Sequence, residues 1–381
     1  MIKTIIIITF ILIALWLTGC WGYKAKQDKN NKANANVEPK YKWGIAVNAP
    51  IGYPIRFYAG RVGGMSITGE LYSKTREPDW GNAMGYESRS MEELPQNVDM
   101  VWLSYKEDCF YRLKTAIDYE KVAKLFREGF DERVPNGEVR HKTYDTIVVG
   151  IAPGGVVVLW VGYGYLPLTE IGRYQAEKIA LREPEGLDNH QKLIFSKKDR
   201  EEVLNSNTII PEDFREANKN KPIPFGLWDS YRDTQYQWYP TFEVPEGKMG
   251  DVGYRYWNGE AGTTLYTDFN SYMGKQDIFY LEESIQKRPL FKNLLFYYKT
   301  QNGQKYLAEL SFDWEAVVAA YKKVFGEDAD KVTAHLDIRI NRENTYLTVR
   351  LVGDNGKEAF IEPKLIDIGE ANQEYAPPFD N

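Results

Sequence analysis

The rhythm of hydrophobic and polar positions changes three times along the chain. Residues 5–17 are continuously apolar except for Thr9, and residues 22–42 hold almost nothing apolar. Beyond them, short apolar runs alternate with two stretches of helical spacing. The runs at 101–106, 146–151, 156–161 and 294–299 read as strands. So do 335–340 and 346–352, where Leu336, Ile338 and Ile340 alternate with His335, Asp337 and Arg339 and predict one wet face. The pair at 146–161 is apolar on consecutive residues, as a sheet buried on both sides requires, and Ala152-Pro153-Gly154-Gly155 supplies its turn. Val122, Leu125 and Phe126, and later Val317, Ala320 and Tyr321, repeat at helical spacing.

These elements recur in one order. Trp43 leads to Tyr53-Pro54, and Trp228 leads to Tyr239-Pro240 at nearly the same distance. Trp80-Gly81 finds its match in Trp257-Asn258-Gly259, and strand 101–106 in strand 294–299. Asp118-Tyr119-Glu120 and Asp313-Trp314-Glu315 then open the two helices. An aspartate accepting from loose amides, with a glutamate in the first turn, is the chemistry of a helix start. The pattern predicts an α+β protein of two tandem related modules, each a mainly antiparallel sheet with one main helix. Their bounds are 43–180 and 223–381, the second module being a diverged copy. Residues 181–222 are dense in charge and interrupted at Glu183-Pro184-Glu185-Gly186, so they read as a connector with a short helix near residues 198–204.

The start of the chain has a different job. Lys3, the apolar run and Leu17-Thr18-Gly19-Cys20 make a positive segment, a hydrophobic segment and a small-residue cleavage site, so residues 1–19 read as a signal peptide. The apolar run is shorter than the roughly 20 residues a spanning helix needs. Leu-Thr-Gly-Cys resembles the lipobox of bacterial lipoproteins, which implies acylation of Cys20 and a protein tied to a membrane through its N-terminal lipid. Residues 20–42 then form a flexible tether whose typical reach is roughly 25 Å. Acylation of Cys20 leaves Cys109 alone, without a disulfide partner in the chain. The tether carries six lysines against Asp28 and Glu38, and the body beyond it has a net charge of −11. An acidic body argues against nucleic acid as a partner.

Patterns that carry chemistry are absent from the chain. His141, His190 and His335 stand apart from one another and from any ligand array, which predicts no metal site. Gly63-Gly64-Met65-Ser66 falls short of a nucleophile elbow, and residues 150–155 lack the Lys-Ser/Thr of a phosphate loop. The expectation is a protein that is no enzyme, with no catalytic residues and no cofactor. Its excess is aromatic: 10 Trp, 27 Tyr and 17 Phe. Side chains of this kind supply broad contact area with a polar handle, for a protein surface or for sugar rings. The candidate binding residues are Trp228, Tyr231, Trp238, Tyr256 and Trp257.

Residues 101–105, Phe110-Tyr111, the helix at Asp118, the run 144–160 with its Ala-Pro-Gly-Gly turn, and residues 170–176 together resemble a family of bacterial lipoproteins built on domain of unknown function 2931. The resemblance covers about residues 43–177, and it brings no assigned catalytic residues. Genes of such lipoproteins often lie beside those of type VI secretion phospholipase effectors, and the proteins are regarded as immunity proteins. The resemblance therefore implies a lipid-anchored protein facing the periplasm, with Trp21 after Cys20 favouring the outer membrane. Its partner would be a toxic lipase-like effector. The alternative is an envelope module that binds glycan or peptidoglycan on an aromatic platform.

Overall fold

A computed structural model describes residues 39–71, 80–81, 84–86, 89–134, 138–164, 167–244, 247–265 and 286–371. Cys20, the signal peptide and most of the predicted tether lie outside them. Among the described residues, no helix is long and apolar enough to cross a membrane.

The fold is α+β and mostly sheet. In the first half the main strands are β1 (Lys40–Asn48), β2 (Ile55–Val62), β3 (Asn97–Ser104) and β4 (Cys109–Ala116), followed by helix α1 (Tyr119–Glu128). After α1 come β5 (Thr146–Ala152), β6 (Val156–Gly162), β7 (Leu168–Gln175) and β8 (Glu177–Ile179). Helices α2 (Lys197–Asn205) and α3 (Leu227–Asp233) lead to the second half. There β9 (Gln235–Glu243), β10 (Gly247–Tyr256), β11 (Ala261–Thr264), β12 (Phe291–Thr300) and β13 (Lys305–Ser311) precede helix α4 (Trp314–Phe325). The last strands are β14 (Ala334–Ile340), β15 (Leu347–Gly353), β16 (Glu358–Phe360) and β17 (Leu365–Glu370).

The order of pairing in the first half returns in the second. β8, β4, β3 and β2 lie side by side, as do β17, β13, β12 and β10. Similarly β7-β6-β5-β1 is matched by β16-β15-β14-β9, and in both sets a strand that follows the main helix (β5, β14) pairs parallel with the first strand of its half. Asp118 accepts from the Lys121 amide at 3.1 Å and Asp313 from the Ala316 amide at 3.1 Å, so both acidic starts are N-caps as the sequence predicts. The structure shifts one landmark. Trp228 lies on α3, whereas Trp238 holds the place of Trp43. Each of these two indoles is fully buried on the first strand of its half and donates to a neighbouring strand's carbonyl, at Glu93 and Arg288 respectively.

One sheet crosses from half to half. β7 meets β11 through Leu168 and Ala261, joining the first half's mixed sheet to the second half's antiparallel one in an eleven-stranded sheet. Behind each half lies its own apolar core, with α1 closing one and α4 the other. Between the halves is a third cluster, built from Trp80, Trp160, Trp228 and Tyr231, against which Trp257 and Trp314 pack.

Two boundaries differ from the sequence reading. β1 starts at Lys40, because Lys40, Tyr41 and Lys42 pair with Glu93, Glu92 and Met91, so the strand extends into the predicted tether. Residues 181–222 are more than a connector. Ile194 and Val203 bury against Leu103, Tyr105 and Phe110, and Arg56 on β2 faces Asp199 on α2. The short helix near residues 198–204 is present as α2, with Ser196 as its N-cap.

Candidate binding face

The mixed sheet of each half has an inner face against its core and an outer face, and the two outer faces differ. In the first half Ala46, Val148, Ala152, Val156, Val158 and Trp160 face outward, and all are buried under Trp80 and the α3 residues Trp228 and Tyr231. In the second half the positions of Ala46, Val148 and Trp160 carry Thr241, Asp337 and Arg350, and those of Asn48, Thr146 and Gly150 carry Glu243, His335 and Arg339. A continuous apolar surface has to be covered, whereas a polar one is stable in water.

The polar face is organised around Asp337. Its Oδ2 accepts from Arg339 Nε at 2.7 Å and from Arg350 Nη2 at 3.1 Å, and the carboxylate is 3 % exposed. Arg339 reaches Glu243 at 3.2 Å and Arg350 reaches Glu358 at 3.1 Å. The alternation that predicts a wet face therefore needs a correction at Asp337. The two long guanidinium side chains lie over the shorter carboxylate and keep water from it. The hydrogen bond to Asp337 raises the pKa of Arg339. His335, stacked on Tyr239 with centroids 6.0 Å apart, has its pKa lowered below the ordinary 6.5. Burial is the main cause, with Arg350 and Arg339 adding to it and Asp337 opposing.

The face ends at β16, the outermost strand of its sheet among the described residues. Glu358, Phe360 and Glu362 are exposed, alternating with the buried Ala359, Ile361 and Pro363. Phe360 is 69 % exposed, and Tyr346 beside it donates to Glu362 at 3.4 Å. Four carboxylates (Glu243, Asp337, Glu358, Glu362) against the guanidinium groups of Arg339 and Arg350 leave this group of residues at −2.

The aromatic residues singled out from sequence are placed differently. Trp228 and Tyr231 are buried in the cluster between the halves, with Tyr231 4.7 Å from Trp314 and 5.1 Å from Trp257 by ring centroids. Trp238 is in the second core, and Tyr256 stacks on Phe291 at an interplanar angle of 7°. Trp257 is half-buried, packed on Trp314. The structure thus brings Trp228, Tyr231 and Trp257 together, but as the filling of a joint rather than an open platform. The reason is size: rings of 150–250 Å² are the natural filling where two curved sheets meet. Of these rings, only Tyr256 and Trp257 keep part of their surface exposed. The face around Asp337 was missed because its charges look like an ordinary solvated strand. The available signal was the difference between residues 147–149 and 156–161, apolar on consecutive positions, and residues 335–340, which alternate.

The Ala-Pro-Gly-Gly turn also has a partner in the fold. Gly154 and Gly155 both have positive φ, and Glu107 Oε1 accepts from the Gly154 amide at 3.1 Å and from the Tyr111 hydroxyl at 2.7 Å. Ser104 donates to the other carboxylate oxygen at 2.7 Å. Burial and the neighbouring Glu107 carboxylate push the Tyr111 phenol far above its usual range, so it remains a donor. With every member committed to holding the turn, Glu107 acts as a clasp. Cys109, next to it, is a buried free thiol whose pKa burial raises. Among the described residues no three His, Cys, Asp or Glu side chains gather as metal ligands.

A family model described as a protein of unknown function (DUF2931) matches residues 24–226. It covers the first half and the segment up to α3. No curated protein and no solved structure matches the chain.

Proposed function

The chain belongs to the DUF2931 family of proteins of unknown function, and from that premise we propose that it is a lipid-anchored envelope protein that works by binding another protein. Cys20 carries the lipid, the residues between it and β1 at Lys40 form the tether, and the folded body faces the periplasm, at the outer membrane. The partner is a toxic, lipase-like effector, which the protein neutralises without catalysis, cofactor or metal. The second half is a diverged copy of the first, a reading supported by the shared pairing order, the two aspartate caps and the equivalent buried Trp43 and Trp238.

One observation carries the binding reading. Where the first half carries Ala46, Val148 and Trp160 under its apolar cover, the second half carries Thr241, Asp337 and Arg350, with Arg339, Glu243, Tyr239 and the exposed Phe360 beside them. Arginine and aromatic residues over a well-ordered sheet are the composition of protein interfaces. One copy then supplies structure, and the other is free to diversify toward a partner.

The test uses the full-length chain purified in detergent and the product of the gene that neighbours its own. Specific binding, together with loss of that product's lipase activity on vesicles, supports the proposal. A neighbouring product that neither binds nor loses activity overturns it.

A further inference from the structure

We infer that β16 is a docking edge for an extended, basic segment of the partner protein, which adds to the second half's mixed sheet as one more antiparallel strand. This rests on the protein-binding reading and names the place and chemistry of the contact.

The argument starts from backbone geometry. β16 pairs with β15 through Arg350–Phe360, Leu351–Ala359 and Val352–Glu358. The Ile361 amide donates to Val349 at 3.0 Å and the Gly353 amide to Lys357 at 2.9 Å. In an antiparallel ladder the bonded residues alternate, so Lys357, Ala359 and Ile361 turn their backbone groups inward to β15. Glu358 and Phe360 turn theirs outward, at an edge that no further strand of the described residues pairs. Such a row of amides and carbonyls is a template for another strand.

The protein itself shows what an edge in this position does. β7 has the place in the first half that β16 has in the second, and it receives β11 alongside it. There the added strand is fixed by side chains as well, since Glu260 beside β11 accepts from the Glu170 amide on β7 at 3.1 Å. Apolar rings fill that joint. The face beside β16 is charged, so a second copy of the same apolar joint does not suit it, and a strand of different chemistry does.

That chemistry follows from Glu358, Phe360 and Glu362, which project together from the exposed side of the edge. A carboxylate stands on each side of an exposed ring, and along this side of the edge Glu358, paired with Arg350, and Glu362 stand against Lys364, leaving the edge mildly acidic. The complement is a strand with lysine or arginine at two alternate positions and an apolar residue between them. Its cations would meet Glu358 and Glu362, and its central side chain would cover Phe360. Cross-strand pairs of opposite charge and of aromatic with β-branched residues are the favourable ones in sheets.

The experiment titrates fluorescently labelled peptide Thr-Lys-Thr-Val-Thr-Lys-Thr against the full-length chain in neutral detergent, followed by anisotropy. The control peptide has glutamate in place of both lysines. Saturable binding of the first peptide, at least about tenfold tighter than the control, is expected. Glu358→Lys with Glu362→Lys should invert the preference. Phe360→Pro, which removes an outward amide on an edge strand that tolerates proline, should abolish binding while the thermal melt stays within a few degrees of wild type. If the peptides bind equally, or binding survives both variants, the inference is wrong. The same variants are tested against the neighbouring gene's product. Full binding of that product by all of them overturns the docking edge and leaves protein binding standing, whereas a product that ignores even the wild type overturns the broader reading.

Discussion

Gly81 and Gly259 meet backbone to backbone between the two halves: a Cβ added to Gly81 would fall 2.6 Å from the Gly259 carbonyl oxygen. Both have positive φ, 88° and 91°, and both belong to the tryptophan-glycine segments that the sequence pairs as equivalents. The first prediction follows. Gly81→Ala or Gly259→Ala must open this contact and strain the backbone, for roughly 2–4 kcal/mol of lost stability. Gly64→Ala, where an added Cβ meets nothing within 4 Å, should be close to neutral. Denaturant titration of the three variants checks it, and equal midpoints would refute the tight joint.

The joint is also held by charge. Arg133 Nε lies 2.7 Å from Asp251 Oδ2, and both side chains are largely buried. Removing one partner of a buried ion pair leaves the other charge desolvated, so Arg133→Leu should destabilise by about 3 kcal/mol. Pairing it with Asp251→Leu should recover part of that loss, because the buried carboxylate that has lost this cation is then gone as well. A double-mutant cycle by denaturant titration measures the coupling, and simple additivity would mean the pair is not energetically linked.

Much of this architecture could be read in the chain. The consecutive apolar residues of β5 and β6, the Pro-Gly-Gly turn and the caps at Asp118 and Asp313 are local signals, and each appears where its chemistry places it. Contacts between distant residues were not legible. The parallel pairing of β1 with β5 joins segments a hundred residues apart, and nothing in either strand names the other. Trp228 and Trp238 look alike in sequence, yet one fills a joint and the other a core. The candidate face was hidden for a related reason: Asp337 reads as exposed until Arg339 and Arg350 are seen to converge on it.

The buried rings give a third prediction. Trp228→Ala and Trp238→Ala should each lower stability by roughly 3–5 kcal/mol, through lost apolar contact and the cavity left behind. Phe360→Ala, at an exposed position, should lower it by less than about 0.5 kcal/mol. If Trp228 were instead part of an open contact surface, iodide would quench its fluorescence efficiently and its removal would leave the melt unchanged. Quenching of single-tryptophan differences between variants and wild type decides the matter.

A fourth prediction concerns pH. The fold favours neutral His335, because burial penalises its charged form more than Asp337 favours it. Its folded pKa lies below 6.5, so at intermediate pH the unfolded chain binds more protons than the folded one. The stability this group contributes is complete above pH 6.5 and is lost as pH falls through the folded value. His335→Gln cannot be protonated and should show a smaller fall in melting temperature between about pH 7 and pH 5 than the wild type. Parallel curves for the two proteins would remove His335 from the pH response.

The anchor gives the last prediction. If the protein acts by occupying a partner at the membrane, the tether sets where binding happens and the folded body sets what is bound, so the two can be separated. Cys20→Ser exported through an ordinary secretory signal should yield a protein that fractionates with soluble periplasmic contents and retains its affinity for the partner. Protection of cells should then weaken, since a leash of roughly 25 Å holds the body near the surface a lipase attacks, and release dilutes it through the whole compartment. Competition between cells carrying the two forms, at matched expression, measures this. Loss of protection with affinity intact makes the lipid part of the mechanism, and unchanged protection reduces it to an address.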